Sequence, residues 1–175
     1  MNALKQILKW TLICLLAFCT FNLFISANYK IQRTITINVP AYVVFEEVTD
    51  LQTWPTWATW WQKDTTITIE YTGARYGVNS KISWTGIDGF GSLKITAVSF
   101  TDSVNTELNF EGMPPVYGIW NFKETDEGTY ITWRMKGEMP FFMRFMTMFF
   151  NDMLGPDIEA GLQALKAKCE SMPSR

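Results

Sequence analysis

The sequence predicts an α+β protein: a curved antiparallel β-sheet of six to seven strands wrapped around a long C-terminal helix, plus one N-terminal transmembrane helix. Three observations carry this. From Pro140 to Cys169, Phe142, Phe145, Met146, Phe149 and Met153 recur at steps of three and four, and Ile158, Leu162 and Leu165 continue the spacing beyond Gly155-Pro156. Between residues 64 and 137 the alternation is in steps of two, as in strands. Near the N-terminus, 20 residues from Trp10 to Tyr29 carry no charge.

Size and composition bound the rest. Residues 30–175 suffice for one domain with a real core, and residues 1–29 form the membrane anchor. The chain is 47% hydrophobic and 15% aromatic with eight Trp, more than a compact core requires, which points to a lined cavity or an apolar surface. All 17 acids follow residue 28 with 13 of the 15 bases, so the domain carries a charge of −4. That argues against nucleic acid as a partner, which calls for a basic face.

The uncharged N-terminal run matches a bilayer core in length and is flanked by Lys5, Lys9 and Lys30. It reads as a single-pass anchor. The competing reading is a cleaved signal peptide ending at Ile25-Ser26-Ala27, but Phe24 and Ile25 carry the apolar run nearly to that site. Lys5 and Lys9 favour a cytoplasmic tail, placing the domain on the outer side, while Lys30 and Arg33 weaken the asymmetry. Cys169 is the one cysteine of the domain, so no intradomain disulfide forms.

In IQRTITI, Ile31, Arg33, Ile35 and Ile37 share one face of a first strand. Arg33 interrupts that face and reads as a solvated charge at a membrane-proximal or edge position rather than a ligand-binding arginine. After Pro40, AYVVFEEVTD begins a helix with Val44, Phe45 and Val48 facing in and Asp50 closing it. Trp54-Pro55-Thr56-Trp57-Ala58-Thr59-Trp60-Trp61 suits a short helical or irregular corner whose rings close one end of the core; the rim of a ligand pocket and an aromatic patch at the membrane surface are the other readings.

Strands then follow through Ile67, Ile69 and Tyr71; Ile82 and Trp84; Leu93, Ile95 and Ala97; Val104, Thr106, Leu108 and Phe110; Val116, Gly118, Trp120 and Phe122; and Thr129, Ile131, Trp133 and Met135. Gly86, Gly89 and Gly91 read as turn and bulge residues, and Asp102-Ser103 and Asp126-Glu127-Gly128 as turns.

Local sequence adds a resemblance. ITINVP before VFEEVTD, Trp54-Pro55-x-Trp57, Ser83-Trp84-x-Gly86 with Gly91, Gly128-Thr129-x-x-x-Trp133, and Gly155-Pro156-Asp157 leading to Gly161-Leu162-x-x-Leu165-Lys166 occur in the order and spacing of the helix-grip superfamily. That superfamily, also called SRPBCC or START-like, includes lipid-transfer domains, pollen-allergen-like proteins and bacterial polyketide cyclase/dehydrase-like proteins. The chain resembles the membrane-anchored branch of the last. The resemblance implies a cavity between sheet and C-terminal helix that takes lipids, sterols, polyketides or other apolar molecules, with catalysis in some members.

The chain has no histidine, which removes the usual proton shuttle near neutral pH and any His-containing metal site, and no cofactor or metal is called for. Cys169, beside Lys166 and Lys168, lies at the frayed end of the last helix without a base. Glu70, Glu107, Glu111 and Glu138 fall at strand ends or on the polar parity, as solvated acids do.

Function therefore rests on apolar candidates. Trp84, Phe110, Trp120, Phe122 and Trp133 on the strands, with Phe145, Met146 and Phe149 on the helix, line a cavity or fill it. The sequence thus points to a membrane-anchored domain binding a hydrophobic small molecule or lipid without catalysis. A cyclase or dehydratase using Tyr71, Tyr117 or a buried carboxylate is one alternative; an interaction module using an aromatic surface is the other.

Overall fold

The computed structural model describes residues 2–63, 66–87 and 89–172. Residues 64 and 65, where the alternating run begins, lie outside the described residues. The elements are α1 (Asn2–Leu23), β1 (Asn28–Ile37), α2 (Ala41–Thr49), a 3-10 turn at Trp54–Thr56, α3 (Trp60–Lys63), β2 (Thr68–Gly73), β3 (Ser80–Gly86), β4 (Gly89–Ser99), β5 (Ser103–Phe110), β6 (Val116–Thr125), β7 (Gly128–Glu138), a 3-10 segment Phe141–Met148 and α4 (Phe150–Glu170). The strands form one curved antiparallel sheet in the order β1-β7-β6-β5-β4-β3-β2, with α4 on its inner face.

Alternation puts the apolar parity of six strands inside; on edge strand β2, Ile69 is only half-buried and Tyr71 is 41% exposed. Ile31 and Ile37, Ile82 and Trp84, Leu93 and Ile95, Val104 and Leu108, Trp120 and Phe122, and Ile131 and Trp133 are all buried. Ala97 departs from this pattern because the β4–β5 register slips between Ile95 and Ala97; the bulge turns Ala97 outward and brings Val98 against the core. In α2, Val44, Phe45 and Val48 face in and Asp50 is the C-cap, as their spacing predicts. Arg33 lies on edge strand β1, where its guanidinium packs on the backbone of Gly155 and donates to the Asn151 side chain at 3.0 Å and the Asn151 carbonyl at 3.2 Å.

The C-terminal stretch differs from the single helix its periodicity predicts. The α-helix starts at Phe150, and Phe141–Met148 before it wind as a 3-10 segment, with Phe149 as the cap between them. There the Phe145 N–H donates to the Asn22 Oδ1 of α1 at 3.2 Å, so a side chain from another element takes a donor that would otherwise point back along the segment. Phe142, Phe149 and Met153 consequently face outward, and α4 buries Phe150, Ile158, Leu162, Leu165 and Cys169. α1 ends at Leu23, so Asn28 and Tyr29 belong to the sheet instead of the uncharged helix.

Register fixes the two ends of the sheet. At one end lie the start of β1, paired Asn28 to Glu138, the β3–β4 hairpin, paired Gly86 to Gly89, and the end of β5. α1 and the 3-10 segment join the sheet at that end. The far end carries α2, the β6–β7 turn and the C-terminus of α4, where Lys166 donates to the Thr36 carbonyl at 2.8 Å and Glu170 accepts from the Asn38 N–H at 2.8 Å.

Candidate functional site

The space between sheet and α4 is occupied by indole. Trp54, Trp57, Trp60, Trp61, Trp84, Trp120 and Trp133 make one connected cluster through ring contacts of 4.1–6.4 Å. Its sheet floor is the Trp120–Trp133 stack, with centroids 4.1 Å apart and planes 18° from parallel. These residues are paired directly across β6 and β7, so register alone sets the stack. Trp54 touches both rings edge-on.

The Trp54–Trp61 segment descends along α4 from the far end. Lys168 donates to the Thr56 hydroxyl at 2.9 Å, and the Thr59 hydroxyl donates to the Asp157 carbonyl at 3.1 Å. Sequence reasoning placed these rings as the closure of one end of the core; the structure places them in its middle. The signal was visible as four Trp in eight residues, but spacing in an irregular segment does not state which way it runs.

Two glycines make room for rings. A side chain at Gly91 would enter the Trp84 indole, and one at Gly118 would meet the Thr106 hydroxyl beside Trp133. Both sit mid-strand, where glycine marks a close approach.

The eight sequence-predicted site residues separate into two groups. Trp84, Trp120, Phe122 and Trp133 are buried together in the core, with Phe122 beside Phe45. Phe110 ends β5 and is 44% exposed, touching Trp84 edge-on. Phe145 meets Phe18 of α1 at 5.7 Å, Met146 packs on the core margin, and Phe149 is 53% exposed.

Polar groups in the core are few and uncharged. Among the described residues the buried polar side chains are Asn22, Thr49, Ser80, Ser83, Ser92, Thr106 and Thr129, with no carboxylate among them. Trp54 donates its indole N–H to the Val48 carbonyl at 3.0 Å, whereas the indole N–H groups of Trp57, Trp61 and Trp120 are buried without an acceptor. A buried donor without an acceptor costs on the order of 1–3 kcal/mol. At the margin, Glu47 and Lys168 form a largely buried ion pair at 2.7 Å.

Cys169 differs from the frayed-end expectation. It is fully buried, and burial, with repulsion from Glu47, pushes its thiol up to about 12 despite the opposing effect of Lys168. It is therefore a protonated core residue at neutral pH. Tyr71 is 41% exposed, with its hydroxyl pushed up by burial and by Asp50; Tyr117 is exposed on the outer face beside Lys136. Two open grooves, of about 280 and 620 Å³, lie on the surface, and none of the eight predicted residues lines either.

This arrangement, a seven-stranded sheet gripping one long helix over an aromatic interior, agrees with sequence comparison. Residues 29–170 match the family described as polyketide cyclase / dehydrase and lipid transport. The chain belongs to this family. No curated protein matches the sequence. Among solved structures the fold is similar to a protein of unknown function, SA2116, from Staphylococcus aureus, at TM-score 0.66 and 10% identity over 83% of this chain and 96% of that one. It is also similar to the Thermus thermophilus protein TTHA0849, at 0.61 and 14% over 83% and 99%. The di-domain ARO/CYC StfQ from the steffimycin biosynthetic pathway aligns at 0.63 and 12% over 82% of this chain and 52% of that one. In family terms, the helix-grip fold is in place, and its grip is closed over indoles.

Proposed function

We propose that this chain binds a hydrophobic, oxygen-bearing small molecule, lipid-derived in character, between the sheet and α4, admitted by displacement of the indole filling supplied by the Trp54–Trp61 segment, without chemistry on it. One observation carries the reading: the cluster holds three buried indole N–H donors with no acceptor, at Trp57, Trp61 and Trp120. An apolar interior with orphan donors favours a guest that supplies both hydrocarbon and carbonyl, ester or hydroxyl oxygens. The family's printed description, which includes lipid transport alongside cyclisation and dehydration, supports the same class of guest. The absence of histidine, the protonated Cys169 and the exposed placement of Tyr71 and Tyr117 support binding over catalysis. α1, apolar over Ala3–Leu23, supports a membrane anchor or a signal sequence, and Lys5 and Lys9 support an outward-facing domain.

The test is native mass spectrometry with lipid extraction on the full chain, followed by titration of the recovered species against tryptophan fluorescence. The expected result is a bound apolar molecule carrying an acceptor oxygen. Trp120→Phe, which keeps a ring and removes the donor, weakens its binding roughly 5–10-fold, the value of one hydrogen bond. A chain that emerges empty, with fluorescence unmoved by acyl lipids, sinks the proposal.

A further inference from the structure

Beyond ligand binding, we infer that the end of the domain from which α1 departs is a docking surface for the bilayer itself, so that the domain rests on the lipid with its 3-10 segment and β3–β4 hairpin tip in the interface. The inference rests on the reading of α1 as a membrane anchor.

Register places a group of exposed apolar side chains at that end. Phe24 precedes β1, Ile87 tips the β3–β4 hairpin, Phe110 ends β5, Phe142 lies on the 3-10 segment, Phe149 caps α4 and Met153 lies in its first turn. All six are exposed, Phe24 at 86% and Ile87 at 80%. The other end carries fewer, chiefly Phe100 at 73% and Tyr76 at 67% exposure, beside the polar Asp126-Glu127-Gly128 turn. A collection of large apolar side chains at one end of a domain marks an interaction surface.

Lipid is the occupant because α1 is fixed to the same end. Asn22, fully buried near the end of α1, accepts the Phe145 N–H, Phe18 meets the Phe145 ring, and the Thr147 hydroxyl donates to the Ser26 carbonyl at 3.2 Å. These contacts tie the helix to the 3-10 segment, so α1 cannot cross a bilayer without carrying Phe142 and Phe149 to its surface.

Length gives the same answer. The uncharged helical run from Trp10 to Leu23 is 14 residues, about 21 Å, short of a hydrocarbon core of about 30 Å. An apolar rim sunk into the acyl boundary supplies part of the difference, and snorkelling of Lys9 supplies more. Lys30 and Lys136 stand opposite each other on β1 and β7, two residues or roughly 7 Å above the rim, with Tyr117 beside Lys136. Cations and a tyrosine at that height are placed for phospholipid headgroups.

The test uses the full chain, reconstituted in phosphatidylcholine/phosphatidylglycerol vesicles, with Cys14→Ala and Cys19→Ala to clear reactive thiols. Nitroxides are attached singly at Phe149→Cys, Ile87→Cys, Tyr130→Cys and Leu12→Cys, and collision with oxygen is compared with collision with a water-soluble nickel complex. These are exposed positions, and Phe142→Cys is a second reporter if Phe149→Cys folds poorly. Several-fold preference for oxygen at Phe149, Ile87 and Leu12, with preference for nickel at Tyr130 near the far end, is expected. Nickel preference at Phe149 and Ile87 with oxygen preference at Leu12 overturns the docking and leaves the anchor standing. Nickel preference at Leu12 removes the anchor and the docking together. Spin–spin broadening at Phe149 assigns the surface to a second copy of the chain and overturns the inference.

Discussion

At Cys169 a thiol sits at the C-terminal end of α4 with no exposure, so its chemistry is decided by burial rather than by its neighbouring lysines. With the native thiol raised to about 12 from an ordinary value near 9, both states hold the proton below pH 9 and Cys169 lends no pH dependence there. Between pH 9 and 12 the unfolded chain releases a proton that the native chain keeps. Stability therefore falls as pH rises, by up to about 1.4 kcal/mol per pH unit. Comparing denaturation midpoints of wild type and Cys169→Ala from pH 8 to 11 is expected to show this extra slope only in wild type. In the folded protein at pH 8, iodoacetamide is expected to leave Cys169 unmodified until denaturant is added. Two further single changes probe the indole cluster. Trp120→Ala is expected to cost about 3–5 kcal/mol, since neighbours stacked on a sheet floor cannot collapse into the void, and Tm measured by calorimetry reads the loss. Gly91→Ala drives a methyl into the Trp84 ring and is expected to lower stability by about 1–3 kcal/mol.

Elements were legible in proportion to their regularity. Strands β3 to β7 follow from alternation because one face of each is buried, and α2 follows from its apolar spacing and Asp50 cap. Periodicity misled where one pattern served two partners. Phe142, Phe145, Met146 and Phe149 have helical spacing, yet Phe145 turns to α1, Met146 to the core margin, and Phe142 and Phe149 to the outside. Spacing states that residues share a face and is silent about what that face meets. Asn22 is one polar residue in an uncharged run, with nothing in its spacing to mark it, yet its side chain decides how the run joins the domain. Asn22→Leu is expected to free the Phe145 amide, raising its hydrogen-exchange rate about tenfold while the amides of β6 and β7 keep theirs.

For the whole molecule, family and fold were readable because short motifs spread over the domain fix the order of its parts, and residues 29–170 match as one unit. The interior was harder to read. Trp84, Trp120 and Trp133 were found by strand parity, whereas Trp54, Trp57, Trp60 and Trp61 belong to a segment without a repeating direction and proved to be the filling of the grip. One grip margin is closed by the Glu47–Lys168 pair. Lys168→Met is expected to destabilise the domain by about 3–5 kcal/mol by leaving Glu47 uncompensated, and Glu47→Gln/Lys168→Met together by much less; urea midpoints of the two variants check this.

The pairing of β1 with β7 sets a timetable for synthesis. Asn28 finds its partner in Glu138, 110 positions later, and Ile37 finds its own in Thr129. The first strand thus leaves the ribosome long before any neighbour exists, at the point where α1 has already emerged. Until Gly128 to Glu138 follow, its backbone donors and its isoleucines have nothing to join, and closing that long loop is a slow step. Nascent chains halted before β7 are expected to remain open to protease throughout β1, and those released after α4 to be protected. The aromatic interior would then be sealed only when translation is nearly over, which leaves an interval in which a guest molecule could be enclosed as the protein is made.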